Sequence, residues 1–361
     1  MGELKLMKGN EALAEAIIRA GTDGYFGYPI TPQSEVMEYL TAAKPWETTG
    51  MVVLQAESEV ASINMLYGGG GTGKKVVTSS SSPGISLMQE GLSYIAGAEI
   101  PILIVNVVRG GPGLGDIQPA QSDYFQATKG GGHGDYRLIV LAPSSVQEMS
   151  DFVPMAYDLA FKYRMPAMIL SDGAIGQMME KVEFFEPIPR LTDEEVKARY
   201  PWATNGKPKG GERRILTSLD LDPSKMEQHN YDLQAKYRKI EENEVRFEQI
   251  QCDDAEYVIV AYGSSARISL KSVKLLREKG IKAGLLRPIT LWPFPTKKID
   301  ALVKQGVKGF LSVEMSAGQM VEDVRLAVNG RVKVEHYGRL GGIIHSPEEV
   351  AEALEQKIIG E

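Results

Sequence analysis

The 361-residue sequence predicts an α/β protein, a doubly wound parallel sheet with a second, smaller α/β domain after it. Three observations predict this. Short β-branched runs alternate with amphipathic helical stretches through residue 172. The runs are apolar on both faces, as in a parallel sheet covered on each side. The alternation lapses between Gln177 and Cys252 and resumes from Glu256, so we divide the chain into residues 1–180, an irregular linker with a long surface helix over 181–252, and residues 253–361.

Taken in order, Asn10 is read as the cap of a helix with Leu13, Ile17 and Ile18 on its apolar face, stopped by Gly21. Strands are read over 25–30, 51–55, 75–80, 101–108, 138–142 and 165–171. Helices begin near Gln33 and cover 57–67, 84–98 and 144–164, with Gly68–Gly71 ending the second of these. Pro187, Pro189, Pro201, Pro208 and Gly210-Gly211 mark the irregular connection. Leu233, Tyr237, Ile240 and Phe247 then recur at helical spacing, which fits one stripe packed on a neighbour better than a coiled-coil arm. Strands over 257–261, 283–286, 309–314 and 332–336 follow, alternating with helices over 264–279, 296–304, 319–328 and 347–357.

The net charge is −7 with both signs interspersed, so no basic stripe points to nucleic acid or an anionic membrane. A single cysteine, Cys252, cannot form an internal disulfide, hold an iron–sulfur cluster or build a structural zinc site. The first residues, Met1–Lys5, carry no export signal, and the longest apolar runs, such as 101–108, are too short to span a bilayer. The expected location is cytoplasmic.

Ligands of open parallel sheets sit at the carboxyl ends of the strands. Here those ends carry Tyr28–Pro32, Gln55–Glu59, Ser79–Gly84 and Arg109–Gly115, the last opening a long connection of the kind that is usually functional. Two patterns are decoys. Gly68–Lys75 imitates a phosphate-binding loop but follows a helix and places Lys75 where Ser or Thr should hold magnesium. Gly111–Gly115 has the wrong spacing for a dinucleotide loop. His133, within Gly130–Asp135, has no second ligand nearby, so we assign no metal to this chain. The residues alone give an α/β protein with a polar pocket.

Several motifs in register add to this. Tyr28-Pro29-Ile30-Thr31-Pro32, Glu57-Ser58-Glu59-Val60-Ala61, Ser81-Ser82-Pro83-Gly84 running on to Gly91, and Val107-Val108-Arg109-Gly110-Gly111-Pro112-Gly113 closely resemble the alpha subunits of 2-oxoacid:ferredoxin oxidoreductases. Gly130–Gly134 and residues 257–295 match as well, and 177–252 contributes least. The resemblance implies a thiamine diphosphate pyrimidine-binding domain followed by a transketolase C-terminal-like domain.

It also implies roles. In such enzymes one glutamate contacts N1′ of the cofactor's aminopyrimidine and must carry the proton it donates, which an apolar surround favours. Glu59, which precedes Gly68-Gly69 by the family interval and can be buried by Val60, Ala61 and Ile63, takes that role, with Glu57 as its competitor; a first-turn acid stabilised by the helix dipole is the plainer reading of either. Arg109 would clamp the substrate carboxylate, or else pair with Asp116 or Asp123. Thr31 would bond the substrate or cap the helix near Gln33, while Pro29 and Ile30 shape the pyrimidine slot.

No Gly-Asp-Gly occurs, so a beta subunit should hold magnesium and the diphosphate, and the resemblance implies that it also carries an iron–sulfur cluster. A small ferredoxin-like subunit and a gamma subunit are further candidates, in a dimer of hetero-oligomers. Ferredoxin takes the electrons and coenzyme A the acyl group. Gly110–Gly115 followed by Gln118 and Gln121 looks most like enzymes for branched-chain 2-oxoacids such as 3-methyl-2-oxobutanoate, with 2-oxoglutarate next. The rivals are a transketolase-like carbon–carbon transferase and a non-catalytic scaffold docking a redox partner through the helix over 222–250.

Overall fold

The computed structural model describes residues 4–207 and 210–360; Met1–Glu3 of the N-terminal reading and Pro208 of the irregular connection lie outside the described residues. The strands are β1 (Leu4–Lys8), β2 (Gly24–Gly27), β3 (Val52–Gln55), β4 (Val76–Ser80), β5 (Leu103–Val108), β6 (Ile139–Leu141), β7 (Ala167–Asp172), β8 (Met179–Glu183), β9 (Phe247–Ile250), β10 (Tyr257–Ala261), β11 (Ala283–Pro288), β12 (Thr290–Trp292), β13 (Gly309–Glu314) and β14 (Lys333–Gly338).

Seven strands form the first sheet in the order β12-β6-β7-β5-β4-β2-β3. All its pairs are parallel except β12 with β6. The five-stranded second sheet runs β14-β13-β10-β11-β9, parallel except at its β9 edge. The fully buried β4, β5 and β7 are the apolar runs the sequence marks. One hydrophobic core continues from the first sheet through Trp292 and Leu286 to Phe310 of the second.

The two sheets are also locked by polar groups. Asp172, at the end of β7, accepts from Ser264 Oγ at 2.7 Å and from the amides of Ala174 and Ile175, so it caps two helices at once. Burial pushes its carboxyl up, and those hydrogen bonds only partly offset it. Gln121 donates to the Tyr262 carbonyl and accepts from Ser265 Oγ at 2.6 Å and the Met315 amide at 3.0 Å.

Several expectations change. Asn10 lies inside the helix Gly9–Arg19 and Lys8 is at the cap position. The Asn10 amide is spent on the Pro32 carbonyl and Glu35, which binds the Tyr28–Pro32 loop to the helix. Gly68–Gly71 form the last turn of their helix, which spans Glu59–Gly71 and so runs four residues past the expected Tyr67. A Cβ at Gly70 would come within 2.7 Å of Ile100 and Ile102, and one at Gly69 within 2.9 Å of Val76. Glycine here serves close packing, and the chain turns at Gly73, with φ +81. The strand read over 25–30 stops at Gly27.

The helix Pro223–Asn243 buries Leu233, Tyr237 and Ile240 as one stripe, but Phe247 belongs to β9. The antiparallel pair of β1 with β8 and the capped helix Asp193–Arg199 were not foreseen. Among the described residues no helix is long and apolar enough to cross a membrane.

Candidate active site

The carboxyl ends of β2 to β5 converge on the N-terminus of the helix Ser82–Gly97. Glu59 opens the neighbouring helix behind Ser58, whose hydroxyl accepts from the Ala61 amide at 3.2 Å. Its side chain is 6% exposed. A Cβ on Gly84 would sit 2.6 Å from Glu59 Oε1 and would also strike Ser80 Oγ, so only glycine lets the helix approach this carboxyl. Glu59 has no hydrogen-bond or ion-pair partner among the described residues. Ser80 Oγ and Ser81 Oγ are likewise buried without a partner. Val60, expected to cover the acid, is 49% exposed; Gly84 and Ser80 do so instead. Glu57 points to solvent.

Arg109 ends β5 and is 7% exposed. Its Nη1 donates to the Thr31 carbonyl and its Nη2 to the Leu114 carbonyl, both at 2.9 Å, while Nε has no partner. No carboxylate pairs with it among the described residues. The expected alternative, an ion pair to Asp116 or Asp123, is not formed: Asp116 accepts from the Gln118 amide and Asp123 from Asn106. A buried guanidinium bonded only to neutral carbonyls keeps its full charge for an arriving anion.

The Tyr28–Pro32 loop is held from beneath. Tyr25 bonds Ser79 Oγ at 2.8 Å, and Ser79 donates to Gln33 Oε1 at 2.6 Å. Burial pushes the Tyr25 hydroxyl up to about 12, so it remains a donor. Gln33 donates onward to the Tyr28 carbonyl. Thr31 does not cap the next helix; Gln33 occupies that position and offers no side-chain cap. The Thr31 side chain is left exposed beside Pro29 and the half-buried Ile30.

Arg109 lines a cleft of about 470 Å³. Its walls are Pro83, Pro112, Ala120, Met315, Ala317 and Leu340, with Ser82, Ser122, Asp123 and Gln319 among its polar groups. Burial pushes the Asp123 carboxyl up, and hydrogen bonds from Ser82 and Asn106 offset only part of that. Asp123, Ser82 and Asn106 were not singled out from the sequence as site residues. The usable signal was Asn106, a lone amide inside the apolar run Leu103–Val108.

Other candidates lie elsewhere. Gln121 is buried in the junction between the sheets, and Gln118 is exposed. His133 is exposed, and its carbonyl accepts from Ser93. Among the described residues no three His, Cys, Asp or Glu side chains are grouped to hold a metal ion.

These features fit the pyrimidine half of a thiamine cofactor: an unpartnered buried carboxyl, orphaned serine hydroxyls beside it and a cradle that a Cβ would fill. Comparison with known proteins agrees. The family described as "Pyruvate flavodoxin/ferredoxin oxidoreductase, thiamine diP-bdg" matches residues 15–248, and "Pyruvate:ferredoxin oxidoreductase core domain II" matches 255–350. The ketoisovalerate oxidoreductase subunit VorB of Methanothermobacter thermautotrophicus is 49% identical over 352 residues, 98% of this chain and 97% of that one. The 2-oxoglutarate synthase subunit KorA of the same organism is 36% identical over 372 residues, 97% and 98% of the two chains. A solved 2-oxoglutarate:ferredoxin oxidoreductase from Magnetococcus marinus superposes with a TM-score of 0.86 at 28% identity, covering 99% of this chain and 66% of that one. A split-gene transketolase shares the fold, with a TM-score of 0.61 at 13% identity over 98% of each chain.

Proposed function

The chain belongs to the 2-oxoacid:ferredoxin oxidoreductases, and on that premise we propose that it is the alpha subunit of a cytoplasmic enzyme converting a branched-chain 2-oxoacid, 3-methyl-2-oxobutanoate foremost, to its acyl-CoA while ferredoxin takes the electrons. Residues 1–180 form the pyrimidine-binding part, 181–252 the connection and 253–361 the transketolase C-terminal-like part. The observation that carries the reading is Arg109, a buried cation without a carboxylate, at a cleft whose apolar wall is Pro83, Ala120, Met315 and Leu340. One carboxylate and a short alkyl chain suit that lining. The 49% identity to a ketoisovalerate subunit supports the same choice over 2-oxoglutarate.

Thiamine diphosphate, when bound, supplies the carbon nucleophile and the electron sink for decarboxylation. Glu59 holds the proton at N1′ of the pyrimidine, in a surround that offers the carboxyl no competing partner. Pro29 and Ile30 wall the ring. Arg109 exchanges a carbonyl for the substrate carboxylate, and the Thr31 hydroxyl bonds the substrate beside it. A beta subunit closes the site, excludes water and brings magnesium and the diphosphate contacts, since this chain lacks Gly-Asp-Gly, and the cluster, since one cysteine cannot hold it.

The test is co-expression with the neighbouring subunits and coenzyme-A-dependent reduction of a viologen dye across 2-oxoacids. The highest kcat/KM is expected for 3-methyl-2-oxobutanoate. Reduction by no 2-oxoacid, as a transketolase-like transferase would give, overturns the proposal. A better rate with 2-oxoglutarate overturns the substrate alone.

A further inference from the structure

We propose that Met315, a residue of the second half, selects the alkyl branch of the 2-oxoacid at the cleft beside Arg109; this rests on Arg109 being the carboxylate clamp. Every 2-oxoacid has that carboxylate, so the clamp alone cannot choose among them. The choice falls to the wall that meets the carbon chain. Its apolar members are Pro83, Pro112, Ala120, Met315, Ala317 and Leu340. The proline and alanine side chains are short or rigid. Leu340 is 58% exposed, so most of it faces solvent. Met315 is 2% exposed, and of these six it alone is both long and buried.

That burial is not core packing. Met315 belongs to none of the hydrophobic core clusters of the protein. Its backbone is engaged on both sides by one residue of the first half. The Gln121 amide donates to the Met315 carbonyl at 2.9 Å, and the Met315 amide donates to Gln121 Oε1 at 3.0 Å. With amide and carbonyl both used, what Met315 has left for the cleft is its thioether chain. An unbranched, polarizable chain moulds itself to an irregular partner such as a branched alkyl group.

Measuring a substrate's length needs a fixed distance between clamp and stop. Pro119 bridges Arg109 in antiparallel register, and the Gly110 amide donates to the Gln118 carbonyl at 2.9 Å. The segment 118–121 therefore pairs with the clamp and, two residues further on, holds Met315. The other end of the turn after β13 is tied as well. Gln319 accepts from the Phe125 amide at 2.8 Å and donates to the Ser122 carbonyl at 2.7 Å. Glu314 stiffens the turn from within by accepting from the amides of Gln319, Met320 and Val321. A wall held this firmly matters, because a misplacement of about 1 Å is felt strongly in recognition.

The experiment uses the assembled complex and its Met315→Ala, Met315→Phe and Arg109→Met variants. Coenzyme-A-dependent viologen reduction gives kcat/KM for pyruvate, 3-methyl-2-oxobutanoate and 4-methyl-2-oxopentanoate. One methylene in an apolar pocket shifts selectivity by roughly 10- to 200-fold, so Met315→Ala should raise the ratio of 4-methyl-2-oxopentanoate to 3-methyl-2-oxobutanoate about tenfold. Met315→Phe narrows the cleft and should raise the ratio of pyruvate to 3-methyl-2-oxobutanoate by about the same factor. A purely structural defect would slow all three acids in proportion and leave both ratios alone.

Ratios within about twofold of the parent overturn the inference. Either variant decides by itself, so failure of the bulkier one to assemble leaves the test intact. Arg109→Met checks the premise separately: kcat/KM should fall at least about tenfold with all three acids alike. No fall there means that the clamp is wrong, and the inference goes with it. A fall there with unchanged ratios in the Met315 variants means that only the selecting role of Met315 is wrong.

Discussion

Two glutamates are buried beside helix N-termini, one in each sheet's half of the molecule, and their surroundings differ completely. Glu314, at the end of β13, is fully buried and accepts five hydrogen bonds, from the hydroxyls of Ser312 and Ser316 and the amides of Gln319, Met320 and Val321. Glu59 is nearly as buried and accepts none. Two arginines repeat the contrast. Arg287, 5% exposed, donates to both oxygens of Glu148 at 2.6 and 2.7 Å and to Glu248 at 3.0 Å. Burial alone would push the Glu148 carboxyl up; the bonds from Arg287 outweigh it and hold it below the usual carboxylate range. Arg109 has carbonyls only. Leaving a buried polar group unmatched costs about 1–3 kcal/mol, so an unmatched acid and an unmatched cation at the carboxyl ends of one sheet are candidates for binding a ligand. Glu314 and Arg287 are matched by groups of this chain, and Glu59 and Arg109 are not.

That contrast is sharpest where breaking it costs most. Arg287→Met should lower stability by about 3 kcal/mol, because it leaves Glu148 with only the bonds from Ser144. Urea unfolding measures this, and a loss below about 1 kcal/mol would mean that the junction is not clamped there. An unmatched group in the second half comes next. His345 is buried with neither ring nitrogen bonded, and burial lowers its pKa to about 4. Folding thus depresses the pKa of a base from about 6.5, so its contribution is intact above that pH and is lost as pH falls towards 4, by about 3 kcal/mol. Unfolding curves from pH 7 to 4 should show the loss, and His345→Phe should flatten it. An equal slope in the variant assigns the acid sensitivity elsewhere.

Glu59→Gln should cut turnover of the assembled enzyme about 100-fold without lowering its thermal midpoint, since no native hydrogen bond is removed. Unchanged turnover would place Glu59 among the structural acids with Glu314. The smallest effect is expected at Glu57, which faces solvent: Glu57→Gln should change kcat/KM by less than about twofold, well short of a proton-transfer loss. A larger loss there than at Glu59 would exchange their roles.

Much of this was legible as periodicity. The runs read over 257–261 and 309–314 coincide with β10 and β13, because buried parallel strands must be apolar on both faces. Tyr28–Pro32, Glu59 and Arg109 were found because strand ends and motif order are local properties of the chain. Sequence also limits what this chain can hold: one cysteine, and no Gly-Asp-Gly.

Tertiary structure alone decided the rest. Leu4–Lys8 is a strand because Met179–Glu183 lies beside it, and Thr290–Trp292 returns to the first sheet to pair with β6. Gly68–Gly71 read only as a helix stop until Ile100, Ile102 and Val76 are seen pressed against Gly69 and Gly70, which the helix includes. That Asp123 pairs with Asn106 and not with Arg109 depends on packing that the local sequence does not show. Local pattern fixes which groups are available. Only packing distributes a limited number of donors and acceptors among them, and so settles which charges are satisfied and which stay open for chemistry.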